Sequence, residues 1–97
     1  MSRYALTAPA KRDFNEIVAF LAENAGVTIA RRVLNELRAA MRVLAKQPGV
    51  GHTREDLADE PLRFFAVYSY LIVYDPTKKP LEITRILHGA RDVRGVL

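Results

Sequence analysis

The stretch LRFFAVYSYLIVYDPTKKPLEITRILHGARD, residues 62–92, decides the fold. Three short runs, 62–67, 70–74 and 81–87, are rich in β-branched and aromatic residues and separated by tight connections, the pattern of adjacent antiparallel strands. The first two are nearly continuous in apolar character, which suits strands covered on both faces. Their aromatic and β-branched content, with the bounding Pro76 and Pro80, selects strand over buried helix. The third run interleaves Glu82, Thr84 and Arg85 with Leu81, Ile83, Ile86 and Leu87. Residues 75–80, DPTKKP, read as a hairpin loop in which Pro76 presets φ and Lys78 and Lys79 stay solvated at the tip. After Leu87 the apolar periodicity stops, and a polar group of His88, Gly89, Ala90, Arg91 and Asp92 begins.

Upstream, Tyr4 and Leu6 alternate with Arg3, Ala5 and Thr7, which predicts a first strand pairing with this sheet at its edge or centre. Thr7 can cap the helix that follows, and Pro9 falls in the first turn, where a missing N–H is harmless. Ala10, Phe14, Ile17, Val18 and Leu21 recur at helical spacing to about residue 23. Asn24-Ala25-Gly26 ends that helix, with Gly26 suited to a left-handed cap. Thr28 is the expected cap of a second helix reaching about Lys46. There Ala30, Val33, Leu34, Leu37, Met41 and Leu44 share one arc at ~100° per residue. Arg31, Asn35, Arg38 and Arg42 form a stripe along its border. The two helices make a hairpin whose apolar faces cover the sheet. Pro48-Gly49-Val50-Gly51 stops the second helix, and the polar HTREDLADEP reads as an ordered loop. The order is β-α-α-β-β-β, a single α+β domain over residues 1–97.

A chain of 97 residues, 49% hydrophobic, has the apolar content for one core and none to spare for a second. No run approaches the ~20 apolar residues of a membrane span, and no signal peptide is evident. Cysteine is absent, which removes disulfides and thiolate ligands and fits a reducing cytoplasm. The net charge of +4 suits an acidic partner, either nucleic acid or protein.

Enzyme constellations are poorly represented. His52 and His88 are the only histidines, in no H-x-x-x-H pattern, so neither a metal site nor a cofactor is expected. No glycine-rich loop precedes a helix, and Ser2 and Ser69 lack a nucleophile motif. Asp13 and Glu16 sit one helical turn apart and read as solvated carboxylates. The arginine stripe has two readings: stems packed along the core rim with heads in water, or a grip on an acidic partner. In the tail, Arg85, His88 and Arg91 lie close together, and Arg63 could approach from a neighbouring strand. Three roles fit such a group: stabilising a phosphoryl transition state with His88 as acid or base, docking a protein, or purely structural pairing.

Taken in order, four segments resemble the ParE branch of the RelE/ParE toxin superfamily, the toxins of bacterial toxin–antitoxin modules and plasmid stabilisation systems. They are YALTAPAKRDFNEIVAFLAE, RRVLNELRAAMRVLAKQPGVGHTREDL with its Pro-x-x-Gly exit and Arg54, LRFFAVYSYLIVYDP, and ITRILHGARDV. The resemblance implies a curved antiparallel sheet against a helical hairpin. It also implies a cognate antitoxin, ParD-like or related, whose C-terminal segment wraps the toxin in a hetero-oligomer. ParE-like members inhibit DNA gyrase by protein–protein contact, whereas RelE-like members cut mRNA on the ribosome with basic residues and often a terminal tyrosine or histidine. Residues 50–67 contain no lysine and no tyrosine follows Tyr74, which favours ParE. On that reading Arg85, His88 and Arg91 contact the target, Arg31, Arg38 and Arg42 contact the antitoxin, and no residue is catalytic or binds nucleic acid directly. The alternatives are an mRNA endonuclease using Arg63, Arg85 and His88, or a detoxified member that only binds an antitoxin. The family often has a glycine between its second and third strands. Tyr68-Ser69 stands there instead, so a loose or bulged connection is expected.

Overall fold

The computed structural model describes residues 3–53 and 61–88. Arg54 and Arg91 lie outside these residues. Strand β1 (Tyr4–Leu6) leads into helices α1 (Ala8–Asn24) and α2 (Val27–Lys46). A 3-10 turn (Pro48–Val50), β2 (His52–Thr53), β3 (Arg63–Val67), β4 (Tyr70–Asp75) and β5 (Leu81–His88) follow. The strands form one five-stranded sheet in the order β1-β5-β4-β3-β2.

Two features differ from the sequence reading of the sheet. His52–Thr53, expected as loop, pairs antiparallel with Phe64 and Arg63. β1 lies at the sheet edge and pairs parallel with β5, Tyr4 opposite Leu81 and Leu6 opposite Ile83, so the sheet is mixed. The helical hairpin leaves β2 running opposite to β1, and from β2 to β5 each strand reverses the last, so β1 runs with β5. The two-residue β2 is too short to show any periodicity, so the parity could not be counted from the sequence.

The helix boundaries also shift. Thr28 is not the cap of α2; Gly26 is, at φ 95 and ψ 160, with no side-chain cap bond. Gly26 therefore takes the positive φ expected of it, but in an extended conformation that starts α2, while Ala25 closes α1. The Tyr68-Ser69 connection is tight, since Val67 and Tyr70 are directly paired. Tyr68 itself accepts the positive φ (55°) that glycine would relieve. Its exposed phenol is held above its ordinary range by a hydrogen bond to Glu36 on α2.

Both faces of the central strands are apolar. On one face Tyr70, Ile72, Tyr74, Leu81, Ile83 and Ile86 pack against Ala10 of α1 and Val33, Leu37, Met41 and Leu44 of α2. On the other, Leu62, Phe64, Val73 and Leu87 form a smaller cluster with half-buried Leu71. This is why the strands read as continuous rather than alternating. Ile83 and Ile86, three positions apart, both join the helix-side cluster, which strict alternation forbids. A register shift absorbs the odd residue: Val73 pairs with Arg85, but Tyr74 pairs with Ile83, leaving Thr84 as the extra residue.

Tyr74 ties the sheet to the exit of α2. Its side chain is fully buried, its hydroxyl donates to the Pro48 carbonyl at 2.7 Å, and it accepts from the Gly51 amide at 2.9 Å. A Cβ at Gly51 would collide with this ring, 2.8 Å from Cε1, which requires glycine there. Burial raises the phenol pKa above its ordinary value, against opposing effects from the Gly51 amide and the Arg63 charge. Tyr74→Phe should cost about 1–3 kcal/mol in urea denaturation, because it strips partners from both groups at once. The unfolded phenol ionises near pH 10.0 and the folded one only above it. This contribution is therefore complete below about pH 10 and fades as pH climbs through the folded-state value. Tyr74→Phe should flatten that part of the alkaline stability profile.

Candidate interaction surface

The bulge in β5 is built into the docking of α1. Thr7 caps the helix by accepting from the Ala10 amide at 3.2 Å. The same hydroxyl donates to the Thr84 carbonyl at 2.8 Å, and the Thr7 amide donates to the Ile83 carbonyl at 3.1 Å. Two turns into the helix, Asp13 accepts from Arg85 Nε at 2.6 Å and from Arg85 Nη2 at 2.9 Å. It also accepts from the Ile86 backbone amide at 3.0 Å. The extra residue of the bulge thus aims one guanidinium and one amide at a single carboxylate.

This corrects the view of Asp13 as solvated: its side chain keeps only 11% exposure and Arg85 27%. The clue was its spacing. Asp13 stands three residues after Ala10 and four before Ile17, on the face that packs rather than the polar one. Glu16, by contrast, is exposed as expected.

Among the described residues, Arg63, Arg85 and His88 each make a contact with a different part of the fold. Arg85 is committed to α1, whereas the His88 ring packs edge-on against Tyr70, centroids 5.4 Å apart and planes at 66°. Arg63 joins neither. It pairs with Tyr74 on β4 while His88 pairs with Tyr70, a separation of roughly 13 Å along the strand at ~3.3 Å per residue. The Arg63 guanidinium instead donates to the Gly51 carbonyl at 2.7 Å and more weakly to Gly49 at 3.5 Å, pinning the chain after α2.

Beside His88 lies a groove of about 270 Å³ between α1 and the sheet, lined by Asp13, Glu16, Ile17, Phe20, Tyr70, Ile86 and His88. Its floor is apolar and Phe20 is 54% exposed, so it suits a partner's apolar side chain better than an isolated anion. Phe20 could have been noticed in the sequence as a large apolar residue off the core arc of α1. On α2, Arg31, Arg38 and Arg42 are all exposed. Arg38 lies 5.7 Å over the Phe14 ring, so its guanidinium also covers the seam between the helices. Among the described residues no three His, Cys, Asp or Glu side chains converge as metal ligands would, and no helix is long and apolar enough to cross a membrane.

Residues 4–93 match the model of the ParE toxin of the type II toxin–antitoxin system parDE. The chain belongs to the ParE toxin family. Two relatives from Caulobacter vibrioides agree: Toxin ParE3, 30% identical over 97 residues and covering 100% of this chain and 96% of its own, and Toxin ParE1, 31% identical, covering 100% and 99%. The fold is shared with a solved chain of the chromosomal ParDE system from P. aeruginosa, at a TM-score of 0.74 and 17% identity over 92% of this chain and 97% of that one. The α+β architecture expected from the four segments is therefore the one this ParE-family chain adopts.

The clamp makes a measurable claim. Asp13→Ala should destabilise the domain by roughly 2 kcal/mol, since a partly buried guanidinium and an amide lose their acceptor. In a double-mutant cycle with Arg85→Ala, chemical denaturation should give a coupling above about 0.5 kcal/mol. Additive losses would show that the two side chains do not act on each other.

Proposed function

We propose that this chain acts by binding DNA gyrase, is neutralised by a cognate ParD-like antitoxin, and rests in the cytoplasm as a toxin–antitoxin complex. The family match over residues 4–93 carries the reading. The geometry supports binding over cleavage: Arg85 is engaged by Asp13 and Arg63 by the Gly51 carbonyl, at distant places in the sheet. Both are already engaged within the fold, where a nuclease would direct its cations at a phosphate.

His88 and Arg91 are the target contacts in this proposal, and Arg85 acts by holding β5 to α1. Arg31, Arg38 and Arg42 give the antitoxin a row of exposed guanidinium groups for acidic side chains. The groove at Ile17, Phe20, Tyr70 and Ile86 receives its apolar side chains. An antitoxin segment that alternates apolar and acidic residues matches both surfaces.

The deciding experiment is supercoiling by purified gyrase with increasing amounts of this protein. Inhibition relieved by the antitoxin, with cleaved DNA trapped on the enzyme, is the expected outcome. Arg91→Ala, or truncation after His88 so that β5 stays whole, should weaken inhibition while circular dichroism stays unchanged. Full inhibition by a folded truncation would remove the tail from the mechanism. Inactivity toward gyrase together with cut mRNA in a translating extract would replace the proposal with ribosome-dependent cleavage.

A further inference from the structure

At the end of the sheet opposite Tyr70 and His88 lies a second concavity, of about 450 Å³, to which neither the target nor the antitoxin reading assigns a role. It is lined by Arg3, Ala45, Lys46, Pro48, Pro76, Lys78, Lys79, Pro80 and Leu81. Four cations from three parts of the chain converge here: Arg3 before β1, Lys46 in the last turn of α2, and Lys78 and Lys79 in the β4–β5 loop. Among the described residues no carboxylate lines it, in a chain whose whole net charge is +4. Lys78 feels the Asp75 carboxylate of its own loop, but like charges gathered on one rim still repel each other, and an anion that enters relieves the repulsion.

Hydrogen bonds fix the walls. The Leu81 amide donates to the Arg3 carbonyl at 3.0 Å, and the Pro48 carbonyl is held by the Tyr74 hydroxyl at 2.7 Å. Asp75 accepts from the Thr77 amide at 2.9 Å and from its hydroxyl at 2.6 Å, which shapes the loop and holds the Asp75 carboxyl below its usual range. The three prolines contribute no N–H, so the floor offers apolar surface rather than the backbone donors that cradle phosphate. The basic rim and apolar floor are complementary to a peptide whose apolar side chain is flanked by carboxylates, and less so to a phosphodiester chain. We infer that this pocket is a second protein-docking site, which receives an acidic, apolar-centred peptide segment of a partner.

The test uses the full chain and a short fluorescein-labelled peptide, a leucine–phenylalanine pair flanked on each side by glutamates, followed by fluorescence anisotropy. The peptide should bind, more weakly as salt rises, and amide resonances of Ala45 and Leu81 should shift on titration. Combining Lys78→Glu with Lys79→Glu should weaken binding roughly tenfold or more, while the arginine pair at the same positions retains it. Both positions are exposed loop residues, so circular dichroism should be unchanged in either variant. Absence of binding, indifference to the charge reversal, or shifts confined to the α1 groove would overturn the inference. So would tighter binding, through the same lysines, of a single-stranded oligonucleotide of equal charge. A gyrase result of either sign leaves this outcome independent.

Discussion

The carboxylate of Asp13 is the joint on which the arrangement turns. β5 is hydrogen-bonded on both sides, to β1 and to β4, and so carries the order of the sheet. Its bulge lets Ile83 and Ile86 face the helices together, and it also leaves the Arg85 guanidinium and the Ile86 amide needing an acceptor. Asp13 supplies one for both from α1, while Thr7 secures the same helix to the carbonyl of the bulged residue Thr84. Helix, cap and bulge are thus mutually dependent. Without the bulge the core loses an isoleucine, and without Asp13 a partly buried charge loses its partner.

Tyr74 does the corresponding work for the chain leaving α2. One phenol group satisfies a carbonyl and an amide of the chain leaving α2, and Arg63 secures the next carbonyl. The sharp descent from α2 into β2 is therefore held by side chains of the sheet it joins. It also forms one wall of the basic pocket, while the Asp13 joint forms part of the apolar groove. The two recognition surfaces sit at opposite ends of the sheet and differ in chemistry: one apolar with carboxylates at its edge, the other apolar with cations around it.

Several residues changed meaning between sequence and structure. The basic residues that look most chemical in a linear reading, Arg63 and Arg85, are bonded within the fold. Asp13, which looks like ordinary surface, is nearly buried because helical spacing puts it on the packed side. Arg31 and Arg42 keep the exposure that the stripe predicted, and Arg38 adds a stacking contact on Phe14. Of the tail group, only His88 lies on the described surface beside a groove, in contact with Tyr70.

Both helices, every strand but β2, and the layering of helices on sheet were legible in the residues alone. Continuous apolar strands demanded cover on both faces, helical periodicity marked the arc of α2 that provides it, and Thr7, Pro9 and the Pro48-Gly49 stop bounded the helices. These are local signals, set by backbone preference and side-chain period. Tertiary structure alone decided the rest: the parallel β1–β5 pair, the bulge, the Asp13–Arg85 clamp and the Tyr74 node. The reason is range. The clamp joins residues 72 positions apart and the Tyr74 bonds span 23 and 26. No periodicity along the chain encodes which distant donor will meet which acceptor; only the packed core brings them within hydrogen-bond reach.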